Sequence, residues 1–227
     1  MMSNETTRQI LVTGGGRGIG AAIVARLRAD GHQVDTPSRQ ELDLASMASI
    51  DAFLDRHRDD PIDVLVNNAG INILRSIEEI DDATWQEMMQ VNLTAALRLT
   101  QAFAPGMAAR GWGRILNVAS IFAVVTRERR GAYSMTKASL AALTRTAAVE
   151  FGPRGVLVNA LAPGYVDTEL TRRNNPPEAL KAIEDSIPLR RMARAEELAE
   201  VAAFLVSDRN TYLTGQTVLV DGGFTCQ

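Results

Sequence analysis

The sequence is almost without cysteine. Cys226 is the single one in 227 residues, so no disulfide can form within the chain, which suits a reducing compartment. There is also no strong excess of either charge. With 24 Lys and Arg against 27 Asp and Glu, the net charge is −3, and bulk electrostatics gives no reason to invoke nucleic acid or an anionic membrane. No apolar run approaches the roughly 20 residues that a bilayer requires. The stretch from Met1 to Gln9 is polar and lacks the apolar core of a signal peptide. These absences predict a soluble cytoplasmic protein with no nucleic-acid or membrane partner. No metal is expected.

The composition is that of a chain able to bury a full core, with 46% hydrophobic and 22% charged residues. The length fits one sizeable domain. No repeat, low-complexity tract or linker divides it, so residues 1–227 read as one unit. Strand-like runs at 9–13, 33–36, 62–67, 114–118, 156–162 and 217–220 alternate with helix-length segments at 18–29, 46–58, 83–109, 133–150 and 195–206. The 83–109 helix could bend near Pro105. Such βαβα alternation predicts a doubly wound parallel sheet of Rossmann type, covered by helices on both faces. The segment 165–194 is too long for an idle connection and reads as a substrate loop or lid, or as a helical surface excursion.

The first strand ends in Thr13-Gly14-Gly15-Gly16-Arg17-Gly18-Ile19-Gly20. A strand, a glycine-dense turn and a helix in succession make a pyrophosphate site. Glycine lets the backbone approach the anion, and the helix start supplies free N–H groups. Ser120 follows the fourth strand, where such sheets place their ligands. Tyr133 and Lys137 are four residues apart, so they share a helix face. A lysine cation near a phenol lowers the phenol's pKa, as a general acid–base near neutral pH requires. On its own, this spacing is common on helix surfaces.

Taken together, the turn 13–20, Asn67-Asn68-Ala69-Gly70, Asn92, Ser120, Tyr133 with Lys137, Pro163-Gly164 and the ending Asp221-Gly222-Gly223 resemble the short-chain dehydrogenase/reductase family over essentially the whole chain. The likeness is greatest to 3-oxoacyl-carrier-protein reductases and to relatives acting on sugars and small ketones. The resemblance implies that Tyr133 is the acid–base, that Ser120 holds the substrate oxygen, and that Lys137 holds the nicotinamide ribose and tunes Tyr133. It implies that Asn92 holds a proton-relaying water and that Asn67, Ala69 and Gly70 line the cofactor. Pro163, Gly164, Val166 and Thr168 would contact the nicotinamide end, and Asp43 and Leu44 the adenine. Relatives are usually tetramers, so a homo-oligomer, tetramer or dimer, is expected.

At the end of the second strand Ser38 takes the position where an acid would select NAD, and Arg39 follows it. Arg17 adds a second cation. Guanidinium groups suit a 2′-phosphate, so NADP(H) is expected over NAD(H), with Asp35 as the complication. One departure from the family pattern stands out. The few residues 36–40 before Glu41-Leu42-Asp43-Leu44 cannot hold a crossover helix, so the usual third strand should be missing, leaving six. That shortened edge puts the adenine contact of Asp43 and Leu44 in question.

The reading that follows is an NADP(H)-dependent ketone reductase or alcohol dehydrogenase. The alternatives are an NAD-dependent sugar or polyol dehydrogenase, or a non-catalytic nucleotide sensor on the same fold. Arg127, Arg129, Arg130, Arg172 and Arg173 near the site suggest an anionic or carrier-bound substrate. A solvated turn or a subunit contact explains them equally well.

Overall fold

A computed structural model describes residues 6–227. The part of the polar N-terminal stretch formed by Met1 to Glu5 lies outside the described residues. Six strands form one parallel sheet: β1 (Gln9–Val12), β2 (Gln33–Asp35), β3 (Val64–Asn67), β4 (Gly113–Val118), β5 (Val156–Pro163) and β6 (Thr217–Val220), in the order β2-β1-β3-β4-β5-β6. From β1 the chain winds first towards β2 and then back past β1 to β3. The switch point therefore lies between β1 and β3, and a crevice opens at the carboxyl ends of the strands. Residues 36–46 contain neither helix nor strand, so β2 is the sheet edge, as the short spacing predicts.

β3 and β4 are buried along their whole length, as expected of strands covered on both faces. On one face, α1 (Gly18–Ala29) and α8 (Ala195–Val206) pack Ile23, Val24 and Leu27 together with Leu198, Ala202 and Leu205. On the other, α2 (Met47–His57), α4 (Ala95–Ala109) and α5 (Gly131–Phe151) contribute Ile50, Phe53, Leu99, Phe103 and Met107, with Ala147 and Ala148. Each fully buried Leu, Ile or Phe of this kind contributes roughly 1.5–3 kcal/mol.

One expectation needs correcting. The segment read as a single helix over 83–109 begins as α3 (Asp82–Met89), with the Asp81 side chain accepting from the Thr84 N–H at 2.7 Å. It then widens into one π-helical turn, Gln90–Thr94, before α4. The irregularity lies there, whereas Pro105 sits inside α4.

The segment 165–194 contains the helical excursion that was one of the two readings weighed for it. It carries α6 (Glu169–Arg173) and α7 (Pro177–Ser186), and its two ends are tied together by Ala193 N–H to Tyr165 C=O and Asp167 N–H to Ala193 C=O, both 2.9 Å. Ile183 and Ile187 pack with Ile121, Phe122 and Tyr165 in a small separate cluster, which fixes this segment over the ends of β4 and β5.

Candidate active site

A cavity of about 460 Å³ lies at the carboxyl ends of the central strands. Its floor is the turn between β1 and α1. Gly14 has φ +66°, the left-handed region that glycine enters without steric cost. A Cβ at Gly20 would run into the Gly14 carbonyl oxygen and the Asn68 amide. Asn68 fixes this turn by donating from Nδ2 to the Thr13 and Gly14 carbonyls at 2.9 and 3.0 Å. The packing is too tight for any side chain, and it leaves backbone exposed to the cavity as an anion site needs.

Most of the residues singled out from the sequence line this cavity: Gly14, Arg17, Gly18, Ile19, Gly20, Arg39, Asp43, Leu44, Ala69, Gly70, Ser120, Tyr133, Lys137, Pro163, Gly164, Val166 and Thr168. Gly16, Ser38, Asn67 and Asn92 are not in its wall. The Ser38 N–H is held by the Glu41 carboxylate at 2.7 Å. Asn67 is buried and donates to Asn117 Oδ1 at 2.9 Å. Asn92 lies in the π-helical turn, 2% exposed, which rules out a surface amide. Its Oδ1 accepts from the Ile71 N–H at 2.8 Å, while Nδ2 donates to the Ile71 carbonyl at 2.9 Å and to Thr136 Oγ1 at 3.1 Å. The Asn92 carboxamide is thus engaged mainly with protein, with one Oδ1 lone pair left over.

Ser120 caps the turn after β4, its Oγ accepting from the Phe122 N–H at 3.2 Å. Tyr133 is in the first turn of α5, edge-on to Phe122 with ring centroids 6.1 Å apart. Lys137 sits one turn further on, and its Nζ donates to the Val118 carbonyl at 2.7 Å. That Nζ is 5.7 Å from the centre of the Tyr133 ring. Here the electrostatics differ from the expectation. Burial raises the Tyr133 phenol above its ordinary value, with the Ser120 hydroxyl and the Arg130 guanidinium opposing it. Burial pulls Lys137 down to about 8. Desolvation outweighs the attraction argued from spacing alone.

The cavity also takes in residues the sequence reading passed over, among them Asn72, Phe122 and Tyr165, with Asn175 from the segment after α6. Asn68 was legible in the Asn67-Asn68 pair. The others become neighbours only through tertiary packing. The glycine cradle, Arg17 and Arg39 among the wall cations, and the volume of the cavity suit a phosphorylated dinucleotide.

The model of a family described as enoyl-(acyl carrier protein) reductase matches residues 34–225. The chain is 37% identical to a 3-oxoacyl-[acyl-carrier-protein] reductase of Pseudomonas aeruginosa, covering 94% of this chain and 95% of the relative. It is also 37% identical to L-xylulose reductase of Bos taurus, over 96% of each. Among solved structures, it resembles a gluconate 5-dehydrogenase from Burkholderia cenocepacia in complex with NADP and tartrate, with a TM-score of 0.89, 30% identity, and 98% and 97% of the two chains covered. Matched along nearly its whole length in both sequence and fold, the chain belongs to the short-chain dehydrogenase/reductase family of oxidoreductases.

Proposed function

We propose that the protein is an NADP(H)-dependent oxidoreductase that interconverts a ketone and a secondary alcohol, with Tyr133 as general acid–base. One observation carries this reading: Ser120, Tyr133 and Lys137 share a single cavity with the glycine turn. Bound nicotinamide nucleotide supplies or accepts the hydride. The chain's own residues handle the proton. Tyr133 gives its phenolic hydrogen to the carbonyl oxygen during reduction, leaving the phenolate, and as the phenolate it takes the hydroxyl hydrogen of the alcohol during oxidation. Ser120 holds that oxygen. Lys137 spends one N–H on Val118, and its remaining donors suit the nucleotide ribose. The segment 165–194 serves as the substrate lid of a single domain, and the chain assembles as a homo-oligomer in the cytoplasm.

The preference for NADP(H) rests on charge. Arg17 and Arg39 line the cavity in pairs with Glu169 at 3.2 Å and Asp43 at 3.4 Å, with which a 2′-phosphate would compete, whereas Asp35, the nearby acid at the end of β2, does not line it. The test compares kcat/KM for NADPH and NADH across ketones, sugars and 3-oxoacyl thioesters. NADPH should be preferred, and Arg39→Leu should shrink that preference by about tenfold or more, the loss of a charge-assisted phosphate contact. A preference for NADH in the wild type would refute it and point to Asp35 as the ribose ligand.

A further inference from the structure

Five arginines crowd the approach to the cavity, and two of them are ion-paired. Arg172 forks onto Asp167 with two 2.8 Å hydrogen bonds. Arg127 donates to the Tyr165 hydroxyl at 3.0 Å. Arg129 lies 3.9 Å from Glu79. Arg173 is solvent-exposed. Arg130 is different. It is 5% exposed and in the cavity wall, and among the described residues its guanidinium has neither an ion pair nor a side-chain hydrogen bond. Its carbon stands 5.4 Å from the centre of the Phe122 ring, the same ring that Tyr133 meets edge-on. The groups that act on it electrostatically are the phenols of Tyr165 and Tyr133 and the Arg127 cation, with no carboxylate among them.

A buried charge is normally paired, because taking it out of water unpaired is expensive. An unpaired guanidinium is therefore a standing cost that an incoming anion would offset. The planar fork matches a carboxylate with two parallel hydrogen bonds. A single buried cation balances one negative charge, which favours a carboxylate over a phosphate dianion.

We propose that Arg130 is the substrate-specificity residue and binds the carboxylate of a small oxo or hydroxy acid whose reacting carbon faces Tyr133. This proposal rests on the redox reading above and names its substrate class. Because Arg130 and Tyr133 flank one phenyl ring in one cavity, the carboxylate and the reacting carbon belong to the same small molecule.

The experiment measures reduction of a panel of 2-, 3- and 5-oxo acids beside their neutral methyl esters, in wild type, Arg130→Leu and Arg130→Lys. Wild type should favour at least one acid over its ester by about tenfold or more. Arg130→Leu should lower kcat/KM for that acid by about 100-fold, mostly through KM, the scale of losing one partner of a buried charge pair. The ratio of kcat/KM for the acid to that for its ester should fall by about tenfold or more, with circular dichroism and NADPH binding showing that the variant is folded, and Arg130→Lys should recover part of the loss. Equal losses for acid and ester, or a wild-type preference for the esters throughout, would overturn the carboxylate site while leaving the redox reading intact. If wild type reduced neither acids nor esters with either nucleotide, the redox reading itself would fall, and the proposal with it.

Discussion

Lys137 is 3% exposed and makes one hydrogen bond, to a backbone carbonyl. Its pKa falls from an ordinary 10.5 to about 8. Between those values the unfolded chain binds more protons than the folded one, so stability rises with pH across that window. Below pH 8 the cost of the buried ammonium is fully present. The cost is on the order of 3 kcal/mol, partly offset by the bond to Val118. Lys137→Met should therefore melt higher than wild type at pH 7, and the gap should close as the pH approaches 10. A gap independent of pH would mean that Lys137 is not under this strain. The same residue shows where sequence reasoning stops. The spacing of Tyr133 and Lys137 correctly brought them to one helix face and into one cavity. It could not give the sign of the Tyr133 shift, because that depends on how much water the rest of the fold excludes. Arg130 was likewise visible only as one of a run of arginines; its burial, over the Phe122 ring and near the Tyr165 phenol, depends on tertiary packing.

Secondary-structure elements were more legible than single side chains. α1, α8 and β6 fall at the expected bounds, and the missing crossover after β2 followed from chain length alone. The π-helical turn did not, since Gln90–Thr94 contains no Gly or Pro to mark a break. Its sequence reads as ordinary helix. Such turns often occur at functional sites. This one places Asn92 so that its carboxamide holds both backbone polar groups of Ile71, next to Gly70 in the cavity wall. Asn92→Ala would leave those groups and Thr136 without this partner, at about 1–3 kcal/mol for each buried group left unsatisfied. Urea denaturation should show a loss of at least ~2 kcal/mol, together with a raised KM for NADPH. Asn92→Asp, which keeps the acceptor, should lie between the two. A loss below ~1 kcal/mol would show that the Ile71 loop does not depend on this clamp.

At the scale of the whole molecule, the two cores on either side of the sheet account for most buried apolar surface, yet one helix face is left uncovered. Along α5, Met135 and Val149 are 44% and 76% exposed, and Ala138 and Ala142 lie exposed between them, while Ala141, Ala147 and Ala148 point into the core. The small residues of this helix thus divide between the core and the open face. A face of small and apolar residues, with exposed Arg145 among them, suits a two-fold contact. In size-exclusion chromatography with light scattering, wild type should run as a dimer or tetramer and Ala142→Arg as a smaller species. A monomeric wild type would contradict this assembly. Among the described residues, no helix is long and apolar enough to cross a membrane.

If the Tyr133 phenol supplies the proton for carbonyl reduction, Tyr133→Phe removes that proton with little change in packing. NADPH oxidation should be followed with wild type and with the Phe variant on the best oxo substrate, while NADPH binding is monitored by fluorescence. Near-normal NADPH binding and a kcat below about one hundredth of wild type are expected, since general acid–base catalysis contributes some 10²–10⁴-fold. A Phe variant that keeps more than that fraction of kcat would contradict this role for Tyr133.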